Sequence, residues 1–393
     1  MSAPATHALM NTVIRPPQVF VRGRGAYLYD EVGLAYLDWV QGWAVNALGH
    51  SPDVVTVALA RQASTLLNLS PAYYSRPLLQ LAGRLTALSG LDQVFFINSG
   101  AEANEGAIKL ARKWGRLNKG GAYEIITFDN GYHGRTLATM SATGKPGWAD
   151  YYPPQVPGFP KARFNDLDSV AALIGPATVA VMLEPVQGEG GVIPASPDFI
   201  AGLRALCDEH GLLLIFDEVQ TGCGRLGTLF AAQHYRVQPD IMTLGKGLAA
   251  GVPLSALLAR RDCCCFEPGD QGGTFSGAPL ACAVALDVLE ILAQPAFLAN
   301  VAERGAQLAA GLAGLSARYG LGEVRGIGLL QALVLPGCDA LAVVELARAK
   351  GLLLNAPRPS CVRMMPALNS TAAEIDQGLA LLDAALGSRR QAA

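Results

Sequence analysis

Two ionisable residues of opposite charge end apolar runs in the middle of the chain. Asp217 ends the run LLLIFD, and Lys246 ends the run DIMTLGK. A buried carboxylate is costly unless a cation or several hydrogen-bond donors meet it. Because the carboxyl ends of parallel strands meet at one edge of a sheet, we expect both side chains in one crevice. Their spacing alone fits a plain ion pair as well as a catalytic site.

A third strand end supplies an element that can bind an anion. The run VFFIN leads directly into Ser99-Gly100-Ala101-Glu102, the S-x-x-E pattern of a capping box, at the start of a helix expected at 101–116. The first N–H groups of a helix bind phosphate, and a glycine lets a ligand approach the backbone closely. A capping box alone also occurs at helices that bind nothing. Combined with the carboxylate and the amine, it predicts a site for a phosphorylated, cationic ring bearing an aldehyde, which is pyridoxal phosphate (PLP).

The segment GCGRLG at 222–227 fits the G-x-G-x-x-G pattern of a dinucleotide-binding turn. That turn needs its first glycine directly after a strand and an acidic residue about 20 positions further on. Here DEVQT separates the strand from Gly222, and no acidic residue follows on a second strand. Lys246 also lacks the following Ser or Thr of a Walker A loop. The glycines therefore do not indicate a nucleotide site.

The middle of the chain alternates between apolar runs and helical patterns. Helical patterns cover segments such as 101–116 and 196–211. The apolar runs are hydrophobic on successive residues, as parallel strands buried on both faces are, and they lie at 94–98, 124–130, 178–184, 212–219, 240–246 and 253–259. This alternation predicts an α/β fold with a mostly parallel central sheet covered by helices.

Beyond about residue 290 the pattern changes to long Ala- and Leu-rich helices with two or three strand-like runs between them. We expect these helices at 301–318, 340–350 and 371–387. They indicate a smaller α+β domain built from both termini. The expected divisions are 1–53 for its N-terminal segment, 54–290 for the large domain and 291–393 for its C-terminal part.

The composition narrows the classes of partner. The chain has 393 residues, 51% of them hydrophobic, and a formal net charge of -2, which offers no basic surface for nucleic acid or an anionic membrane. No apolar run reaches the roughly 18 residues that cross a bilayer, and MSAPATHALMNTVIRPP does not resemble a signal peptide. The eight cysteines form no C-x-x-C pattern, so we expect neither a metal site nor a disulfide framework. We expect a cytoplasmic protein with small-molecule ligands.

Six segments resemble, in order, the signatures of class III PLP-dependent aminotransferases, the family of ornithine and acetylornithine aminotransferases. They are FFINSGAEANEGAIKLAR, DNGYHGRT, LEPVQGEGGVIP, FDEVQTGCGRLG, LGKGLAAGVPLSALLA and GGTFSGAPLACA. The likeness runs from about Arg22 to the C-terminus. FVRGRGAYLYDEVGLAYLDWVQGWAVNALGH is most similar to the acetylornithine branch. The resemblance implies fold type I of the PLP-dependent transferases.

The resemblance also implies how the cofactor is held. Lys246 would bond covalently to its aldehyde and later move a proton between substrate carbon and cofactor carbon. Asp217 would pair with the pyridine nitrogen and keep it protonated. The other implied cofactor-binding residues are Ser99, Gly100 and Ala101 at the phosphate, Tyr132 and Val219 on the two ring faces, His133 beside them, and Gln220 at the phenolic oxygen.

In the family, the phosphate is also reached by a threonine from the neighbouring subunit. The matching residue is Thr274, which implies a homodimer as the smallest active unit. Two residues depart from the family pattern. Ala101 stands where many members have Thr, and Ala278 replaces Asn in the TFGGNPLA segment. The first change leaves backbone contacts intact, whereas the second bears on the loop geometry around Thr274.

The implied substrate contacts are carboxylate-binding arginines, which suit carboxylates through bidentate hydrogen bonds. Arg135 would meet the distal carboxylate. Arg363 would take the α-carboxylate of glutamate and pair with Glu189 when an ω-amine is bound. A structural salt bridge would place Arg363 and Glu189 in the same way.

The branch assignment depends on the segment QGWAVN. Enzymes acting on free ornithine have a tyrosine at the position of Gly42, whereas glycine leaves room for an acylated α-amine. The resemblance therefore implies transfer of the δ-amine of N2-acetylornithine to 2-oxoglutarate, a step of arginine biosynthesis. Trp43, where a smaller aliphatic residue is usual, would reshape this pocket. Transaminases of succinylornithine, N-succinyl-diaminopimelate or 4-aminobutyrate, and an aminomutase of the glutamate semialdehyde type, remain open.

Overall fold

A computed structural model describes residues 6–392. The outer ends of the predicted domain ranges, residues 1 and 393, lie outside the described part. Its strands are, in chain order, β1 (Phe20–Arg24), β2 (Tyr27–Asp30), β3 (Ala35–Asp38), β4 (Gln93–Ile97), β5 (Glu124–Phe128), β6 (Lys161–Ala162), β7 (Thr178–Leu183), β8 (Val186–Gln187), β9 (Ile193–Pro194), β10 (Leu213–Asp217), β11 (Ile241–Leu244), β12 (Ser255–Ala259), β13 (Val324–Ile327), β14 (Leu330–Val334), β15 (Leu352–Leu353), β16 (Asn355–Arg358) and β17 (Cys361–Met364).

The helices lie between these strands and at the C-terminal end. They are α1 (Gln41–Ala44), α2 (Asp53–Ala63), α3 (Arg76–Ser89), α4 (Gly100–Asn118), α5 (Leu137–Ala142), α6 (Leu167–Ala171), α7 (Pro197–His210), α8 (Ala231–Tyr235), α9 (Pro279–Leu292), α10 (Pro295–Tyr319), α11 (Ala340–Ala349) and α12 (Ala372–Ala392). No single helix within residues 6–392 is both long and apolar enough to cross a membrane, although α9 and α10, bent by 70°, meet those criteria as a pair.

A seven-stranded sheet in the order β4-β12-β11-β10-β7-β5-β6 forms the centre. The six predicted strands are all present, and the prediction of a mostly parallel sheet is confirmed. The reading of 253–259 as one of the parallel strands is wrong, because β12 is antiparallel to both β11 and β4. The residues of β12 pack alternately into the two core clusters, Ala256 and Leu258 into one and Leu257 and Ala259 into the other. A strand buried on both faces has a continuous apolar run whatever its direction.

Capping residues fix the ends of the helices that cover this sheet, as α7 shows. At the start of α7, Ser196 caps the helix by accepting the N–H of Phe199 at 3.1 Å, and Pro197 occupies the first turn. Gly211 ends it in the left-handed conformation, with φ 57°. The helices predicted at 101–116 and 196–211 are thereby confirmed as α4 and α7.

Strands from both ends of the chain meet in one sheet, as expected for a smaller domain built from both termini. The order is β1-β2-β3-β15, with β15 parallel to β3. A second, antiparallel sheet, β13-β14-β17-β16, carries Arg363 on β17. The three helices predicted beyond residue 290 are present as α10, α11 and α12.

Candidate active site

A cavity of about 290 Å³ opens at the carboxyl ends of the central strands. Asp217 reaches it from the end of β10, Lys246 follows β11, and Gly100 begins α4 at its edge. The structure therefore brings together the three strand ends that the sequence predicted to converge. The cavity is lined by Gly100, Ala101, Asn104, Tyr132, His133, Gly134, Arg135, Glu184, Glu189, Asp217, Val219, Gln220 and Lys246.

The carboxylate of Asp217 is fixed by three donors. Its Oδ2 accepts hydrogen bonds from Asn104 Nδ2 and from His133 Nδ1, both at 2.8 Å, and its Oδ1 accepts the N–H of Val219 at 3.1 Å. The Thr243 hydroxyl lies 2.8 Å from Asn104 Oδ1 and 3.4 Å from Asp217 Oδ1; its single hydrogen goes to the nearer oxygen and so orients the Asn104 amide. Asp217 is only 3% exposed. Because a carboxylate has about four lone-pair sites, one acceptor position remains for a ligand.

Sequence reasoning missed three polar residues of this site. Asn104 and Thr243 position Asp217, as described above. Glu184 lies at the end of β7, where its Oε2 accepts the N–H of Tyr132 at 2.7 Å and its Oε1 accepts that of Gly188 at 3.4 Å. Burial, and next the negative charge of Asp217, raise the pKa of Glu184 to about 8. A signal was available for Asn104, since it is a polar residue on the otherwise Ala- and Gly-rich buried face of α4.

Lys246 occupies a strained position between β11 and a short 3-10 turn. Its φ is +44°, in the left-handed region that residues other than glycine rarely adopt. Burial lowers the pKa of the ammonium, and Arg363 lowers it further against the opposing effects of Glu189 and Asp217. Among residues 6–392, no side chain or carbonyl accepts a hydrogen bond from its Nζ. The amine is therefore available to the cavity.

The start of α4 presents unpaired backbone donors to the same cavity. The Ser99 hydroxyl accepts the N–H of Glu102 at 3.3 Å, as the capping-box prediction requires. The Glu102 carboxylate accepts the N–H of Asn98 at 3.0 Å, one residue earlier than in a standard capping box. As the first two residues of the helix, Gly100 and Ala101 have N–H groups without an intrahelical acceptor.

The backbone at Gly100 lies close to the side chain of Val219, which is expected on one face of the cofactor ring. A Cβ at Gly100 would stand 2.5 Å from Cγ1 of Val219, so only glycine fits without movement. Tyr132, the residue expected on the other ring face, packs its ring edge-on against Trp148 with centroids 5.8 Å apart. The two residues predicted to sandwich a ring thus both line the cavity.

Arg363 and Glu189 form the predicted ion pair. Arg363 Nη2 lies 2.7 Å from Glu189 Oε1, and the arginine side chain is fully buried while the glutamate is 27% exposed. Arg363 also donates to Asn355 Oδ1 at 3.2 Å and to Gln220 Oε1 at 3.4 Å. Although burial raises the pKa of Glu189, the Arg363 charge lowers it on balance. Glu189 lines the cavity. The predicted role of this pair as a switch, in which Arg363 exchanges Glu189 for a substrate carboxylate, and the alternative of a structural bridge both stay open.

Five predicted residues are not among those that line the cavity within one chain: Ser99 and Arg363, described above, and Thr274, Gly42 and Trp43. Thr274 is exposed, in the loop before α9. Gly42 and Trp43 lie in α1, which is a left-handed turn with φ 63° at both residues. Such a conformation costs roughly 1–2 kcal/mol for each residue other than glycine. The Trp43 side chain is 50% exposed, and its predicted role in the substrate pocket is untested.

The cavity offers a matching group for each part of PLP. Asp217 has one acceptor position left for a protonated ring nitrogen, and Lys246 supplies a free amine for the aldehyde. Gly100 and Ala101 supply backbone N–H groups for the phosphate. The Oε1 of Gln220 faces Arg363, which leaves its Nε2 to donate to the phenolic oxygen. The residues present therefore fit the cofactor that the sequence implied.

Comparison with known proteins identifies one family along nearly the whole chain. The profile described as "Aminotransferase class-III" matches residues 10–386. Acetylornithine aminotransferase 2 of Bordetella bronchiseptica is 59% identical over 388 residues, which cover 98% of each protein. The crystal structure of the ornithine aminotransferase from Toxoplasma gondii has a TM-score of 0.94 at 33% identity, covering 99% of this chain and 94% of that one. A PLP-bound amine transaminase from an uncultivated Pseudomonas species has a TM-score of 0.89 at 31% identity, covering 99% and 97%.

Proposed function

Because the chain belongs to the class III aminotransferases, a PLP-dependent family, we propose that it transfers the δ-amine of N2-acetylornithine to 2-oxoglutarate. The products are N-acetylglutamate 5-semialdehyde and glutamate, a step of arginine biosynthesis, and we propose that the enzyme works in the cytoplasm. The observation that carries the proposal is the meeting of the Lys246 amine and the Asp217 carboxylate in one cavity. The 59% identity to a Bordetella acetylornithine aminotransferase supports the choice of donor.

Lys246 both holds the cofactor and moves the proton in this proposal. Bound PLP supplies an electron sink for the negative charge that develops on the substrate carbon. Lys246 Nζ would hold the cofactor through its aldehyde carbon, with loss of water, and once the substrate amine has taken its place the freed amine would accept the proton from the substrate carbon and return it to the cofactor carbon. Burial lowers the pKa of this amine, so a larger fraction is neutral and able to accept a proton near neutral pH.

Asp217 sets the charge of the ring. The carboxylate would meet the pyridine nitrogen of bound PLP and keep a proton there, which would make the ring the stronger electron acceptor. Asn104 and His133 keep the carboxylate oriented through their bonds to Oδ2. Val219 and Tyr132, which both line the cavity, would cover the two ring faces and exclude water from the reacting atoms.

Two arginines bind carboxylates in turn. Arg135 binds the α-carboxylate of the acylated donor, at the end away from the reacting amine. When glutamate or 2-oxoglutarate is bound, Glu189 moves away and Arg363 binds the carboxylate next to the reacting carbon. The partly exposed position of Glu189 favours such an exchange, since its side chain can swing towards solvent while Arg363 stays in place.

A homodimer that shares its active sites completes the proposal. Large apolar side chains near the Thr274 loop are exposed on the single chain, among them Leu67, Tyr73, Tyr74 and Phe275. The backbone N–H of Leu280 donates to Leu67 at 3.3 Å, so these segments adjoin one another. An exposed apolar surface of this kind suits an interface between subunits. Thr274 would then reach the phosphate of the neighbouring subunit.

Mixed dimers test this sharing. K246A and T274E chains are each expected to be inactive as homodimers. If Thr274 serves the neighbouring site, a mixed dimer contains one complete site, and random mixing restores roughly one quarter of wild-type activity. If Thr274 serves its own chain, no mixed dimer contains a complete site and mixing restores nothing.

A spectrum and a panel of donors test the reaction. The purified protein should be yellow, and borohydride reduction should fix the cofactor to Lys246, with K246A as the control. A protein that stays colourless with added PLP would contradict the scheme. Steady-state kcat/KM with 2-oxoglutarate should be highest for N2-acetylornithine among acetylornithine, succinylornithine, N-succinyl-diaminopimelate and 4-aminobutyrate. A much higher kcat/KM for 4-aminobutyrate would show that N2-acetylornithine is not the preferred donor, although the protein would still be a transaminase.

A further inference from the structure

A second cavity, of about 310 Å³, adjoins the candidate active site. It is lined by Arg135, Leu137, Met140, Trp148, Tyr151 and Tyr152. Arg135 belongs to the lining of both cavities, so the two cavities meet at this arginine. The volume falls at the lower limit of sites for small organic ligands, roughly 300–1,000 Å³.

The cavity wall contains one buried and two exposed aromatic rings. Trp148 is 7% exposed, with the Arg135 guanidinium 5.6 Å and the Lys145 ammonium 5.1 Å from its ring. The rings of Tyr151 and Tyr152 meet edge to face with centroids 6.4 Å apart. Trp148 is thus fixed by burial, which favours a preformed wall at this ring, whereas Tyr151 and Tyr152 are more than half exposed.

The loop that carries these rings is tied to α5. Gln155 Nε2 donates to the carbonyls of Ala149 and Tyr152 at 3.0 and 3.2 Å. Its Oε1 accepts the Ser141 hydroxyl at 2.9 Å, and the same hydroxyl accepts the N–H of Val156. The aromatic wall therefore keeps a fixed distance from the helix that follows Arg135.

The chemistry of this cavity suits a planar acyl group beside a carboxylate. Within residues 6–392, no carboxylate lies within salt-bridge distance of Arg135, so its guanidinium is available to an anion. Leu137, Tyr151 and Tyr152 expose apolar surface around it. Flat aromatic faces stack well on amides and on other rings. A ligand with a carboxylate at Arg135 and a flat, partly apolar group beyond it matches both features.

We propose that this second cavity is an acyl subsite: it receives the N2-acyl group of the amino donor, and it accepts aromatic acyl groups as well as acetyl. The inference rests on the proposed function, because it assigns Arg135 to the α-carboxylate of an acylated ω-amine. The δ-amine then points towards Lys246 and the acyl group away from it. Trp148 is the main specificity-determining residue of the subsite, since it is the buried ring next to Arg135.

Unreactive donor analogues test the subsite on the PLP-loaded enzyme. N2-acetylnorvaline and N2-benzoylnorvaline carry the acylated end but have no δ-amine, and pentanoate carries only the carboxylate. Calorimetry should show the benzoyl compound binding at least about tenfold more tightly than the acetyl compound. W148A should remove most of this difference, and W148F, which keeps a ring, should retain most of it. Equal affinities of the two analogues in the wild type, or a preference that survives W148A, would overturn the acyl subsite.

Turnover separates a failure of this inference from a failure of the proposed function. N2-benzoylornithine should be a donor, and W148A should lower its kcat/KM relative to that of 5-aminopentanoate about tenfold. An equal loss for both donors would mean that Trp148 only positions Arg135 or Tyr132, and the inference fails. If the wild type uses 5-aminopentanoate but neither acylated donor, the proposed function itself fails.

Discussion

Nδ1 of His133 lies 2.8 Å from Oδ2 of Asp217, and both side chains are almost completely buried. Asn104 donates to the same oxygen and also to the carbonyl of His133 at 2.7 Å. The three residues come from different parts of the chain, namely α4, the loop before α5 and the end of β10. Their closed set of hydrogen bonds fixes the carboxylate before any ligand arrives, which is how preorganised sites lower the cost of binding.

Removal of the Asn104 amide should therefore lower activity and cofactor affinity without unfolding the chain. In N104A, Asp217 loses one donor and the Thr243 hydroxyl loses its acceptor, a change worth about 1–3 kcal/mol. We expect kcat to fall about 10–100-fold and PLP to bind more weakly. Steady-state kinetics and a PLP titration measure both effects. The control is N118A, at the exposed end of the same helix, and comparable losses in both variants would contradict the role of Asn104.

Gly100 should tolerate no side chain. In G100A, the new Cβ would stand 2.5 Å from Cγ1 of Val219, so Val219 must move away from its place on the cavity wall. We expect PLP affinity to fall at least about tenfold, measured by titration of the absorbance band of the bound cofactor. G83A provides the matched control, since a Cβ there meets nothing within 4 Å on helix α3. That variant should gain roughly 0.5–1 kcal/mol of stability from helix propensity.

The parts of the site that stand at strand ends can be predicted from the sequence. The parts that depend on contacts between distant segments of the chain cannot. Asp217, Lys246 and the start of α4 follow apolar runs, and the convergence of parallel strands is a general rule, so their meeting was predictable. Asn104 and Glu184 act through contacts to Asp217 and Tyr132, which the local sequence does not encode. The direction of β12 was missed because burial on both faces hides it. Thr274 depends on a surface that one chain leaves exposed, so its role stays a prediction.

Glu189 should control the choice between the two substrates. E189Q keeps the shape of the side chain but removes the charge that pairs with Arg363 at 2.7 Å. Arg363 is then free to bind an α-carboxylate, so we expect KM for glutamate to fall several-fold. The preference for N2-acetylornithine over glutamate as donor should shrink. Half-reactions followed by the cofactor spectrum measure both donors, and an unchanged donor preference would favour the purely structural bridge.

Glu184 should make the stability of the cofactor-free protein depend on pH. Burial and the nearby Asp217 raise its pKa from 4.5 to about 8. Between these values the folded state holds a proton that the unfolded chain has lost, so the contribution of Glu184 to stability falls as pH rises through this window. E184Q cannot titrate, and the Tm of the wild type relative to E184Q should therefore decrease from pH 5.5 to pH 8.5. E209Q, on the exposed end of α7, controls for the loss of one negative charge. A wild-type Tm that rises relative to E184Q over this range would show that Glu184 is ionised in the fold, stabilised by its bonds from Tyr132 and Gly188.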